Sequence, residues 1–196
     1  MSLPSTIPVL EKRLSRESEG EKDDQPRAAV ATVLRDSPQG EEILLIRRGH
    51  REGDPWSGHM AFPGGRHDPR DSTLLETAIR ETREEVRLDL RSGARWLGRL
   101  PDLPAMSRGK PAGLLVSPFV FHLQNAATPV PDGVEVHEVL WAPVGKLFRG
   151  EWDTVHPYRH GEHDLQLPAY SVEGRVVWGL TYQMLQILFQ TIREAT

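Results

Sequence analysis

The stretch Phe62-Pro63-Gly64-Gly65, followed after a loop by LLETAIRETREEVRL from Leu74 to Leu88, decides how the rest of the chain is read. At about 100° per residue, Leu75, Ile79, Thr82 and Val86 form one mostly apolar stripe suited to a buried helix face. Glu81, Glu84 and Glu85 fall within an arc of roughly 100° on another side, and Arg80, Arg83 and Arg87 gather elsewhere. Carboxylates held together repel one another unless a cation sits among them. A set of hard oxygen donors without Cys or His suits Mg²⁺ or Mn²⁺, which take carboxylates, waters and substrate phosphate. The two glycines ahead of the helix let a main-chain carbonyl or a phosphate come close, since no side chain blocks the approach. The competing reading is a solvated helix with Glu76–Arg80 and Arg80–Glu84 pairs at the favourable i,i+4 spacing. The glycines preceding the helix weigh against it.

These residues resemble the Nudix box, a pattern that runs from a glycine through a glutamate to Arg-Glu, then Glu-Glu, a glycine and an aliphatic residue. Arg80-Glu81-Thr82-Arg83-Glu84-Glu85 and Leu88 carry its second half, with Thr82 standing in for an aliphatic position. From Gly65 to Arg80 the spacing is one residue longer than the pattern, so the first acid falls at Asp71 counted from the glycine or at Ser72 counted back from Arg80. Arg87 stands where the pattern has glycine. The resemblance implies an α/β fold, the Nudix-type α/β/α sandwich with a central mixed sheet, over residues 28–196. It implies hydrolysis of the diphosphate linkage in a nucleoside diphosphate derivative, with Mg²⁺ or Mn²⁺ held by Glu81, Glu84, Glu85 and the Gly64 carbonyl. Glu84 and Glu81 take catalytic roles in that scheme, and Arg80 orients a glutamate.

Two further segments narrow the resemblance. Gly58-His59-Met60-Ala61-Phe62-Pro63-Gly64-Gly65 is similar to the end of a signature in the coenzyme A diphosphatase branch, although Gly53 occupies the position where that signature has an arginine. Trp178-Gly179-Leu180-Thr181 is similar to a helix start in the same branch. Coenzyme A is therefore the finer substrate expectation. The substrate-binding candidates are Arg48, Arg108 and Lys110, cations able to meet phosphate, where Arg offers a bidentate fork and Lys a point charge.

A chain of 196 residues with 38% hydrophobic composition fits one globular domain. The net charge of -4 gives no support for a surface that coats nucleic acid, and an RNA-cap activity would ask for a basic track. With no cysteine, disulfides, thiolate metal sites and cysteine nucleophiles are excluded. No apolar run is long enough for a membrane span, so the expectation is a cytoplasmic protein with a small-molecule diphosphate substrate, no membrane partner and, by resemblance, a homodimeric assembly.

Residues 1–27 are charged and poor in apolar residues toward their end and read as a mobile N-terminal arm. Ile7, Val9, Leu10 and Leu14 offer an alternative in which its first half docks as a short helix. Ala28–Leu34 and Ile43–Arg47 read as a hairpin, Met60–Phe62 as a brief strand, and Ala94–Leu100 and Gly113–Leu123 as strands with a loop between them. Val134–Pro143 reads as a strand feeding a short helix at Val144–Phe148. Its two acids, Glu135 and Glu138, are candidates for an extra acid at the site or for plain surface charge. Thr154–Arg159 and Leu165–Tyr170 suggest a hairpin in which His156, His160 and His163 lack the spacing of a metal motif. A core-packing role for Trp178 is weighed above a base-stacking one. Val176–Ala195 reads as an amphipathic helix with Leu180, Met184, Ile187, Leu188 and Ile192 inward.

Overall fold

The three-dimensional description is a computed structural model covering residues 6–17, 25–107 and 109–194. The N-terminal half comprises helix α1 (Thr6–Arg13), strands β1 (Arg27–Ser37), β2 (Gly40–Arg48), β3 (Met60–Ala61) and β4 (Gly64–Arg66), helix α2 (Leu74–Val86) and the single turn α3 (Leu90–Gly93). Then come β5 (Ala94–Arg99), β6 (Leu103–Ser107), β7 (Lys110–Leu123), β8 (Val136–Pro143), α4 (Val144–Phe148), β9 (Asp153–His160), β10 (His163–Val172), β11 (Arg175–Val177) and α5 (Gly179–Arg193).

The main sheet runs β3-β2-β1-β7-β5, with β4 against β1, β6 against β7 and β8 against β2. β1 and β7 pair in parallel and the other pairs are antiparallel, which makes the sheet mixed. Both faces are covered, and the strands show it by alternation. Leu44 and Ile46 of β2 face the α2 layer together with Ala29, Ala31 and Val33 of β1, while Ile43 and Leu45 face the layer built by α1, α4 and α5. Period-two side-chain alternation with two apolar faces is what a central strand buried on both sides requires. The expected α/β/α sandwich is thus the observed architecture.

Helix α2 packs on β1 and β4 through Leu74, Ala78, Ile79, Thr82 and Val86. Leu75 is only partly buried, so the inward stripe is shifted by one position toward Leu74 and Ala78. Thr73 caps the helix by accepting from the Glu76 N–H at 3.1 Å. It ends on Arg87, whose φ of 57° lies in the left-handed region and whose N–H returns to the Arg83 carbonyl. Glycine has no Cβ penalty there, so arginine carries a local cost.

Three expectations are corrected. The first part of the supposed mobile arm is packed: Leu10 is fully buried, and Ile7 and Leu14 join the core beside α5. Two apolar side chains on one short helix and a third just past its end bury enough surface to offset the ordering of the segment, which the mean polarity of residues 1–27 conceals. Residues 1–5 and 18–24 lie outside the described residues. The segment expected as a loop between Leu100 and Gly113 is largely the β6–β7 hairpin. Its prolines misdirect, because among the described residues β6 pairs with β7 alone and an edge strand tolerates Pro104 at a bulge. Helix α5 begins at Gly179 instead of Val176, since Arg175–Val177 forms β11 against β10. Among the described residues no helix is long and apolar enough to cross a membrane.

Candidate active site

The tight approach of β4 to β1 and α2 explains the glycine pair. A Cβ on Gly64 would strike the Ala29 carbonyl and the Val30 backbone, and Gly64 also has a φ of 154°. A Cβ on Gly65 would lie 2.5 Å from the carboxylate of Glu81. The glycines therefore let the inward edge of α2 lay its acids directly against the β4 main chain.

Glu85 is the most enclosed of these acids, with 3% of its surface exposed. Its carboxylate accepts a hydrogen bond from the Gly64 N–H at 2.8 Å. Burial pushes it up to about 8, and the nearby charges of Glu81 and Glu135 add to the effect, against the Gly64 N–H and Arg48. Glu81 is also raised by burial, opposed by Arg80 and reinforced by Glu84 and Glu135. The three box glutamates thus occupy different environments: Glu85 inside, Glu81 at the boundary, Glu84 with its side chain 54% exposed.

Arg80 joins them. Its Nη1 donates to Glu81 at 2.8 Å and to Glu84 at 2.9 Å, while Nε and Nη2 grip Asp71 at 2.9 to 3.2 Å. Asp71 also accepts from Thr77 Oγ1, which lies 2.9 Å from the His67 ring, and Arg80 holds the Asp71 carboxyl below its usual range. The choice the sequence left between Asp71 and Ser72 falls to Asp71, because it reaches the guanidinium. Of the expected i,i+4 pairs, Arg80–Glu84 forms, whereas Glu76 pairs with Arg91.

Two acids outside the box were candidates, and they separate. Glu138 is held by Arg175 of β11 at 2.6 Å. Glu135 sits close enough to Glu81 and Glu85 to raise both. The turn that presents it is built by Asp132, whose carboxylate accepts from the N–H groups of Val134, Glu135 and Val136. That turn is fastened to α2 by main-chain bonds from Val130 to the Val86 carbonyl and from Asp132 to the Glu85 carbonyl. Burial works against the Asp132 charge, but the three N–H groups win and hold its carboxyl low. Asp132 is not among the candidates drawn from the sequence, although Pro131-Asp132-Gly133 is a recognisable turn signature.

The cation candidates fare differently. Arg48 binds Asp54 at 2.8 Å and acts electrostatically on Glu85, which places it beside the carboxylates. Lys110 is exposed at the start of β7, opposite Ser107, on the hairpin that Trp56 Nε1 ties down through the Met106 carbonyl. Arg108 lies outside the described residues.

Clustered carboxylates in a partly dry setting, two of them raised by burial and by neighbouring carboxylates, form a donor set that fits a hard divalent cation. Among the described residues no three acidic or imidazole groups already converge on one point. Arg80 engages Glu81 and Glu84 instead.

Comparison with known proteins agrees with this geometry. The family described as NUDIX domain matches residues 25–161. A relative from Yersinia enterocolitica, named as the Nudix hydrolase NudL, is 34% identical over 169 residues, covering 84% of this chain and 80% of its own length. A Schizosaccharomyces pombe protein is 40% identical over 114 residues, covering 57% of this chain, and the chain spans only 35% of its length. Among solved structures, the NUDIX domain of Shewanella oneidensis NrtR complexed with ADP ribose superposes with a TM-score of 0.53 at 18% identity, covering 89% of this chain and 90% of that one.

Proposed function

The chain belongs to the Nudix hydrolase family, and from that premise we propose that it hydrolyses the diphosphate linkage of a nucleoside diphosphate derivative with the help of Mg²⁺ or Mn²⁺. The observation that carries the reading is the placement of Glu85 and Glu81 side by side against the bare backbone of Gly64 and Gly65, within reach of the Glu135 charge. Glu81, Glu84 and Glu85 would hold the cation, with the Gly64 carbonyl and Glu135 as further donors. When bound, the cation neutralises phosphate oxygens and makes a bound water a better nucleophile.

The chain's own residues prepare that chemistry. Arg80, clamped by Asp71, fixes the carboxylates of Glu81 and Glu84 through charge-assisted hydrogen bonds. Asp132 holds the turn that carries Glu135. Arg48 places a positive charge where a phosphate would approach Glu85, and Lys110 offers a second on the β6–β7 hairpin. Within this class, coenzyme A is the first substrate to test, on the likeness of Gly58–Gly65 and Trp178–Thr181 to that branch. ADP-ribose follows, because the Shewanella oneidensis domain was solved with it.

A second reading, a module that binds such a ligand without cleaving it, is favoured by the engagement of Glu81 and Glu84 by Arg80. The two part on a single experiment: incubation of the purified protein with coenzyme A, ADP-ribose, NADH, dinucleoside polyphosphates and nucleotide sugars, with Mg²⁺ or Mn²⁺, and identification of products by mass. Two phosphate-ended products whose masses sum to that of one substrate plus one water support hydrolysis. Retention of every compound intact supports the binding module.

A further inference from the structure

Three surface segments converge on an aromatic cluster that borders Arg48 through His59. Trp178, at the entrance to α5, is stacked by His156 of β9 with ring centroids 4.2 Å apart and planes inclined by 25°. His59, from the loop after β2, approaches the same indole at 5.0 Å, and Tyr158 lies at 5.6 Å. All four rings are half-buried, so the cluster belongs neither to the core nor to open solvent. The β9–β10 hairpin that brings His156 and Tyr158 is exposed from Arg159 to Gln166, so its outer part contributes little to the core. Its tip is fitted to the β6–β7 hairpin instead, where the bare Cα of Gly109 admits the ring of His160.

The cluster is joined to the site by one residue. The Arg48 N–H donates to the His59 carbonyl at 3.0 Å, and the Arg48 guanidinium acts on both His59 and Glu85. Burial holds the imidazoles of His59 and His156 below their ordinary range, with mutual repulsion adding to the effect on His59. At neutral pH both rings are therefore uncharged, which suits them to stack on a flat ligand and unsuits them to grip phosphate. The Arg48 cation, which also pairs with Asp54, and the uncharged rings joined to it through His59 offer complementary partners for a phosphate and for the heterocycle attached to it.

We propose that Trp178, His156 and His59 form a ring-recognition subsite, and that the group it takes is the nucleobase of the nucleotide whose diphosphate lies at Arg48 and the α2 carboxylates. This rests on the site assignment above and adds what selects the substrate. Stacking on an aromatic platform tolerates any base, so the subsite favours nucleotides over diphosphates that lack a ring.

The test uses adenosine monophosphate and ribose 5-phosphate as probes of the whole protein in chelator, so that neither metal nor turnover enters. Histidine ring signals are followed by NMR and affinities by calorimetry. Adenosine monophosphate is expected to move the His156 and His59 signals and ribose 5-phosphate to leave them in place. His156→Ala, at a half-exposed strand position, is expected to weaken adenosine monophosphate by about 5- to 100-fold, with Trp178→Leu as the second variant. Equal binding of the two probes in wild type and in the folded variants would overturn the proposal, as would unmoved ring signals on saturation. If the protein cleaves no diphosphate, the hydrolase reading fails while this binding result still stands or falls on its own.

Discussion

Replacing Glu85 with glutamine separates what the site costs the fold from what it contributes to activity. Burial raises Glu85 from an ordinary value of 4.5 to about 8, so the folded state prefers the protonated acid. A group raised on folding contributes stability that is fully present below its unfolded pKa and is lost as pH rises through the folded one. Between about pH 5.5 and pH 8.5 the loss from Glu85 alone comes to about 3 kcal/mol, at roughly 1.4 kcal/mol per unit. His59 and His156 are shifted down, so they oppose this trend at the acid end of the window, and the wild-type slope by itself would blur the two effects. Glu85→Gln removes only the carboxylate, keeps an oxygen for the Gly64 N–H, and leaves both histidines in place. Urea unfolding of both proteins in chelator, at several pH values, should show the variant gaining on the wild type by about 3 kcal/mol across that window. Added Mn²⁺ should narrow the gap, because a cation favours the charged form of Glu85. A gap that stays constant with pH would refute the reasoning, since it would mean that Glu85 titrates alike in folded and unfolded chains.

Other consequences follow from particular contacts. Arg87→Gly should stabilise the protein by about 1 kcal/mol in thermal or urea unfolding, because glycine adopts the left-handed turn at the end of α2 without strain. Leu10→Ala should cost about 2 to 5 kcal/mol, the range for a fully buried leucine, whereas a free arm would make the change neutral. Asp71→Asn leaves Arg80 without its charged clamp, and should lower turnover by about tenfold or more and weaken Mn²⁺ binding, measured by calorimetry, with far-ultraviolet circular dichroism unchanged.

Much of the fold was legible because its signals are local. The 3.6-residue period of α2, the short helix Val144–Phe148 and the β9–β10 hairpin all lie where the pattern puts them. The failures have physical causes. Pro104 reads as a breaker until β6 is seen to be an edge strand, and the buried side chains of Ile7, Leu10 and Leu14 are diluted by the charged residues that follow. At the site, the box glutamates were visible as a charge pattern, but their division into buried Glu85, boundary Glu81 and exposed Glu84 depends on how closely β4 approaches α2. The separation of Glu135 from Glu138 required knowing that Arg175 lies across from one and the Asp132 turn beneath the other. The joining of His59 to Trp178 spans distant segments, and no short motif announces it.

The proposed role of the α2 carboxylates is metal-dependent cleavage of a diphosphate. It is tested most directly by measuring hydrolysis of the best substrate from the panel, with and without Mg²⁺ or Mn²⁺, in wild type, Glu84→Gln and Glu85→Gln, each confirmed folded. Turnover is expected to stop in chelator, to return with the metal, and to fall by about a hundredfold or more in both variants. Turnover indifferent to chelator, or full turnover in folded Glu85→Gln, would contradict it.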